Sequence, residues 1–427
     1  MEQKPGFFPA QLIHKEDGLC TGLTSSDKFN KINEIDVFFR KQKKPTTTKF
    51  VFYNYQSLGT HMRFSLQREA LLKPLQQVVN VVERRHTLPV LANLLVFVKD
   101  GQLSLTGTDL EVEMVAHTAV EDGKDGETTI PARKLFEIVR ALPDGSRITI
   151  SQSDDKVTLL AGRSRFSLSS LPPNDFPAID DIDLVERIRV PEAQLKELIE
   201  RTAFAMAQQD VRYYLNGLLL DLRENALRCV ATDGHRLAMC EAALPNGAQA
   251  RKQIIVPRKG VLELQRFLEG GDREVELEVG RSHLRLRRED VVFTSKLIDG
   301  RFPDYDAVIP IGADKEVTVD REALRAALQR AAILSNEKYR GVKMEVSPGQ
   351  LRLIAHNPEQ EEAQEEIEAD TKVDGLSIGF NVTYLLDALG ALREDTVQIA
   401  LRDANSSALV REASNDRCRH VVMPLRL

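Results

Sequence analysis

Three stretches of this chain fall into register with one another at a fixed distance. "LANLLVFVKDGQLSLTGTDLEVEMVA", "LNGLLLDLRENALRCVATDGHRLAMC" and "YRGVKMEVSPGQLRLIAHNPEQEEAQ" each read as an alternating apolar strand, a polar turn and a second alternating strand. A short polar break and a third strand follow. The break falls at Asp109, Asp233 and Asn357, 124 residues apart in both intervals. An amphipathic helix precedes each hairpin ("REALLKPLQQVVNVV", "PEAQLKELIERTAFAM", "DREALRAALQRAAIL"), and a second follows it ("IPARKLFEIVRAL", "VPRKGVLELQRFL", "FNVTYLLDALGAL"). Pro131, Pro257 and Asn381 mark the starts of the second helices, and proline's missing N–H costs nothing in a first turn. A period this long is a duplicated domain, not a solenoid repeat. The expected fold is α+β: three tandem copies of about 120 residues, each with two helices and perhaps eight short antiparallel strands.

The repeats start at Met62, so residues 1–61 stand apart. They hold nine of the 24 aromatics, a basic run "RKQKKPTTTK" and no periodic apolar pattern. They read as a weakly structured upstream extension, or else as a basic, aromatic arm that touches DNA or a partner. The expected divisions are 1–61, 62–185, 186–313 and 314–427, with junctions near the Pro- and Asp-rich "PAIDDIDLVERIRVP" and "PDYDAVIPIGADKEVTVD". No apolar run approaches the ~18 residues of a membrane span, and the start lacks a signal peptide's apolar core, so a cytoplasmic protein is expected. The four cysteines fit no zinc or redox spacing, and reduced thiols are expected. The net charge of −6 gives no global attraction to nucleic acid, so any DNA contact must use a local basic surface.

"RCVATDGHRLAMC" (228–240) gathers Cys229, Asp233 and His235, the residue types of a hydrolase. The same places in the other copies hold Leu105, Asp109 and Glu111, then Leu353, Asn357 and Glu359, a strand and turn with no nucleophile. Cys229, His235 and Cys240 lack a fourth zinc ligand, and no phosphate-binding glycine loop or dinucleotide fingerprint is present. No catalytic residue, metal site or cofactor is expected.

Many ordered motifs ("TLPVLANLL", "SLTGTDLE", "RSRFSLSSLP", "QDVRYYLNGLLL", "VATDGHRLA", "GRFPDY", "AAILSNEKYRGVKM", "NPEQEEA", "HVVMPLRL") closely resemble the bacterial sliding clamp, the beta subunit of DNA polymerase III, from Met62 to Leu427. The resemblance implies a non-catalytic processivity factor: a head-to-tail homodimer whose six domains close into a ring around double-stranded DNA without sequence preference. It also implies tethering of the clamp loader, the replicative polymerase alpha subunit and other clamp-binding proteins, with no membrane role. Helices would line the hole, and they carry Arg84, Arg85, Arg133, Lys134, Arg140, Arg258, Lys259, Arg266, Arg325 and Arg330. For DNA contact the resemblance points to Arg85, Arg133, Gln209, Tyr213 and Tyr214, with a core role as the alternative for Tyr214.

For the dimer interface the resemblance implies Arg163, Arg165, Phe166 and Leu168 on an edge strand. Opposite them would stand Ile333, Leu334, Glu359, Glu361 and Glu362, with arginines facing glutamates. For a partner-peptide pocket it implies Leu215, Thr232, Gly234, His235, Arg236 and Leu237, then Pro303 and Val308. From the third copy it adds Tyr339, Asn381, Tyr384 and Ser407, and from the terminus Val421, Val422, Met423, Pro424, Leu425 and Arg426. Two departures from the pattern are Asp306 and Ala307, where relatives carry basic residues, and Asn405, where an aliphatic residue is common. The first is expected to remove positive charge from one rim of the pocket. The rival reading is a repeat-built adaptor that shares the three domains and the pocket but never encircles DNA.

Overall fold

The structure, a computed structural model, describes residues 62–426 except 83–87, 178, 180–182 and 245–246. The first unit runs β1 (Arg63–Gln67), α1 (Arg68–Val78), β2 (Asn93–Lys99), β3 (Gln102–Thr108), β4 (Val112–Ala119), β5 (Asp122–Lys124), β6 (Gly126–Pro131), α2 (Ala132–Ala141), β7 (Arg147–Ser153), β8 (Lys156–Ala161) and β9 (Ser164–Ser169). The second runs β10 (Leu184–Pro191), α3 (Glu192–Glu200), β11 (Gly217–Leu222), β12 (Ala226–Thr232), β13 (Arg236–Ala243), β14 (Lys252–Pro257), α4 (Arg258–Phe267), β15 (Glu274–Gly280), β16 (His283–Arg288) and β17 (Val291–Lys296). The third runs β18 (Lys315–Asp320), α5 (Arg321–Ala331), β19 (Gly341–Ser347), β20 (Gln350–His356), β21 (Glu362–Glu368), β22 (Leu376–Asn381), α6 (Val382–Ala391), β23 (Thr396–Leu401), β24 (Ala408–Glu412) and β25 (Cys418–Val422).

The three units share one element order, and β5 is the single addition to it. Each helix buries a stripe at helical spacing: Leu71, Leu75 and Val78 in α1, and Leu324, Ala327, Leu328 and Ala331 in α5. Pro131 and Pro257 stand one place earlier than expected, in the capping position before α2 and α4. Asn381 caps α6, its side chain accepting from the Thr383 N–H.

The strands form four antiparallel sheets, and two of them cross from one unit to the next. One has the order β10-β15-β16-β17-β4-β3-β2-β6, so β17 of the second unit pairs with β4 of the first. The other is β14-β11-β12-β13-β25-β24-β23-β18, so β25 of the third unit pairs with β13 of the second. The remaining sheets, β5-β1-β7-β8-β9 and β21-β20-β19-β22, end on β9 and β21. One apolar core runs behind the sheets through all three units.

The expectation of reduced thiols needs correction. Cys229, Cys240 and Cys418 lie side by side on β12, β13 and β25, and Cys240 is disulfide-bonded to Cys418. These two are 178 residues apart in sequence, and only the pairing of β13 with β25 makes them neighbours. Cys229 is free and buried; Cys20 lies outside the described residues.

Candidate functional site

The turn at Asp233 is built by local hydrogen bonding. Asp233 Oδ1 accepts from the His235 N–H at 2.9 Å and the Arg236 N–H at 3.0 Å. Thr232 Oγ1 donates to the Arg236 carbonyl at 2.6 Å and accepts from the Gly234 N–H at 3.1 Å. The first unit repeats this bond for bond: Asp109 accepts from Glu111 and Val112, and Thr108 bonds Val112 and Leu110. In the third, Asn357 accepts from the Glu361 N–H. Leu110 and Gly234 occupy the same left-handed place in their turns, at φ 78° and 88°. The recurrent carboxylate therefore closes a turn. Cys229 is no partner to it: the residue is wholly buried on the helix-side face, and burial pushes its thiol pKa far up.

From this turn β13 runs out beside β25, and the two strands bring most of the expected pocket residues together. Arg236 opposes Val422 and Leu237 opposes Val421. The Met423 N–H donates to the His235 carbonyl at 2.9 Å, and the Leu425 N–H to the Gly379 carbonyl at 2.7 Å, so the terminal "MPLR" bridges the turn and β22. Ala408 pairs with Val422, which sets Ser407 at the same strand end. Alternation divides these residues between two faces. Leu237 and Val421 belong to an apolar cluster away from the helices, with Val230, Met239, Phe302 and Tyr305, and Val308 and Tyr214 pack on it. Val422 belongs to the main core, so its side chain does not line that surface and only its backbone reaches the edge.

Arg236 turns to the helix side. Its guanidinium pairs with Asp233 at 3.1 Å and with Asp387, donates to the Phe204 carbonyl at 3.0 Å, and stacks over Tyr384 at 4.6 Å. Burial, with Asp233 nearby, holds the Tyr384 hydroxyl above its ordinary pKa. Asn381 donates to the Tyr339 carbonyl at 3.2 Å, tying that backbone to the start of α6, and the Tyr339 ring is exposed. Pro303 is exposed between the buried Phe302 and Tyr305. Leu215 is buried under the Tyr213–Leu215 turn.

In and just before that turn lie three of the five residues expected at DNA. Gln209 is exposed in a left-handed conformation at φ 57°. Tyr213 is exposed and Tyr214 half-buried against the apolar cluster, their rings edge-to-face at 5.8 Å. Arg212 braces the loop through Asp210, whose carboxyl it holds down to about 2, and its guanidinium also reaches the Asp233 carbonyl at 3.5 Å. Tyr214 thus takes up the packing role weighed for it in part, with one side of its ring against the cluster.

The chain matches family models for the DNA polymerase III beta subunit: the N-terminal domain over residues 62–180, the central domain over 189–304 and the C-terminal domain over 306–426. It belongs to the DNA polymerase III beta subunit family. Among its relatives, the beta sliding clamps of Pseudomonas putida and Escherichia coli are 54% and 50% identical to it over 367 residues, 86% of this chain and all of theirs. The crystal structure of the Pseudomonas aeruginosa beta subunit is 54% identical with a TM-score of 0.84, again over 86% of this chain and all of that one. A Caulobacter crescentus beta subunit is 40% identical with a TM-score of 0.82, and a Pseudomonas aeruginosa clamp bound to griselimycin has a TM-score of 0.83. The function of this beta subunit is that of a DNA sliding clamp.

The remaining expected site residues stand in different surroundings. Arg84 and Arg85 lie outside the described residues, as does the 1–61 segment. Arg133, Lys134 and Arg140 are exposed on α2; Arg133 reaches the Val82 carbonyl at 3.2 Å and Arg140 lies over Phe136. Lys259 pairs with Asp109, Arg266 with Glu263, Arg325 with Glu322 and Arg330 with Glu365, so these four charges are partly spent within the chain. At the sheet edges, Arg163 and Arg165 have no ion pair among the described residues, Phe166 and Leu168 are half-buried, and Ile333 is exposed. Leu334 is half-buried beside it, Glu361 bonds Asn357, Glu362 pairs with His356 at 3.5 Å, and Glu359 lies in the same exposed turn. Asp306 is exposed, as is Ala307, and its carboxylate pairs with Arg228 and Arg223 at 3.2 and 3.7 Å. Phe204 and Asp387, which hold Arg236, were not among the expected residues, although Asp387 stands where α2 and α4 carry Glu137 and Glu263, a recurrent acid that could have signalled it. No cluster of metal-ligating side chains occurs among the described residues, and no helix there is long and apolar enough to cross a membrane.

Proposed function

We propose that two copies of the chain close head to tail into a six-domain ring around duplex DNA, and that partner proteins dock at the end of β13 and β25. The carrying observation is that the chain joins its own units by one rule and leaves one edge of each kind over. Inside each unit, successive register pairs make Phe166, Phe293 and His420 equivalent on β9, β17 and β25. The pairs Thr108–Glu113, Thr232–Leu237 and His356–Glu362 align β4, β13 and β21. At the two internal junctions Phe293 opposes Met114 and His420 opposes Ala238. The same rule sets Phe166 against Ala363 of a second copy, Arg163 against Glu366, and Ser164 against Glu365. This register puts unpaired arginines against the acidic β21 and covers two bare edges. The aromatic Tyr213 and the basic groups on the helices would give weak phosphate and sugar contacts, which suits sliding.

In this reading the chain has no catalysis of its own, acts in the cytoplasm, and uses the loader and polymerase as partners. The divisions 62–185, 186–313 and 314–427 are its domains. Ser164–Glu365 corresponds to Cys240–Cys418 at the internal junction, which supplies the test. Ser164→Cys/Glu365→Cys should cross-link into a covalent dimer under oxidation and remain on circular DNA until the DNA is cut. Ser164→Cys/Gln364→Cys, one residue out of register, should not cross-link. A dimer with neither cross-link refutes the register, and a chain that leaves circular DNA as readily as linear DNA refutes the ring.

A further inference from the structure

The segment after β17 crosses the sheet face that bears Leu237 and Val421, and it is fastened there by charge. Phe302 and Tyr305 are buried in the apolar cluster, and Val308 and Ile309 rest on it. The Tyr305 hydroxyl donates to Asp221 at 2.6 Å, and Asp221 is wholly buried while accepting from Arg223 and Arg251. Arg228 on β12 pairs with Glu241 and, at 3.2 Å, with Asp306. Arg223 stands 3.7 Å from the other Asp306 oxygen. Three carboxylates (Asp221, Glu241, Asp306) therefore balance three guanidiniums. The turn is short: the Val308 N–H donates to the Tyr305 carbonyl at 3.1 Å, so displacement at 306 passes to Val308 directly.

We propose that Asp306 is a positioning residue for the partner-peptide pocket, latching the 305–308 turn to Arg228 and Arg223 so that Val308 stands beside Leu237 and Val421. The proposal rests on the pocket reading above. Its carboxylate faces the sheet, so it acts on pocket shape and leaves the polar end of a bound peptide without an opposing acid. A basic side chain here would place a fourth guanidinium against Arg228 and lift the turn.

The test uses the full chain and griselimycin as the probe, with affinity measured by calorimetry and thermal unfolding recorded alongside. Asp306→Glu should bind within about threefold of the parent, and Asp306→Arg about tenfold or more weaker, the scale of one charge-assisted contact. Asp306→Arg/Arg228→Glu should recover most of that loss, which a general packing defect would not allow. Met423→Asp serves as the pocket control. If the parent does not bind, or Met423→Asp binds like the parent, the pocket reading falls and this proposal with it. If Met423→Asp loses binding while Asp306→Arg keeps it, or the charge swap recovers nothing, the latch alone is refuted.

Discussion

Replacing Asp233 separates a turn-forming carboxylate from a reacting one. Asp233→Ala removes the acceptor for two backbone N–H groups, at 2.9 and 3.0 Å, and the 3.1 Å partner of Arg236. A hydrogen bond to a charged group contributes ~1.5–3 kcal/mol, and the exposed His235 N–H regains water, so the net cost is about 2 kcal/mol. The His235 carbonyl anchors Met423, so that ordering cost falls on any ligand held at the strand ends. Two kcal/mol corresponds to roughly 30-fold in affinity for a pocket-binding peptide. Asp233→Asn should behave differently. Asn357 already accepts from the Glu361 N–H at the equivalent turn, so an amide oxygen suffices, and Arg236 keeps Asp387 and the Phe204 carbonyl, so the loss should stay well below that of Asp233→Ala. Peptide titration by fluorescence anisotropy reads both variants. An Asp233→Asn variant as defective as Asp233→Ala would refute the turn argument, because charge and not acceptor geometry would then be what the site needs.

Changing Ile333 and Leu334 together to Asp should give a folded monomer, since Ile333 is 77% exposed beside β21; a dimer by sedimentation would refute the edge assignment. His420 is buried, with no hydrogen-bond partner on either ring nitrogen among the described residues, and burial, then Arg201, lower its pKa from 6.5 to about 4. The neutral ring is the form the fold prefers, so this stability is present above pH 6.5 and is lost as pH falls toward 4. His420→Phe places in this unit the residue that Phe166 and Phe293 supply in the others, and should flatten the acid limb of a stability–pH profile measured by denaturant unfolding. An unchanged acid limb would show that other groups set it.

Periodicity made the three units legible. Strand alternation and helical stripes are local, so the 124-residue recurrence carries the element order and the shared turn on its own. The turn residues Thr232, Asp233 and Gly234 were equally readable, because their hydrogen bonds close within four residues. The division of the pocket was not. Val421 and Val422 are adjacent and apolar, yet one joins the cluster under Val308 and the other the main core, and only the pairing of β25 with β13 decides which. The same pairing made Cys240 and Cys418 neighbours across 178 residues. Tertiary packing likewise leaves β9 and β21 as ends of their sheets. Asp306 is the clearest case: its sequence position indicated a missing positive charge, and only the tertiary fold shows that it pairs with Arg228. Sequence determines which face a side chain occupies within its own strand. Which distant edge meets that strand is settled by tertiary packing, where burial, charge pairing and register must all be satisfied at once.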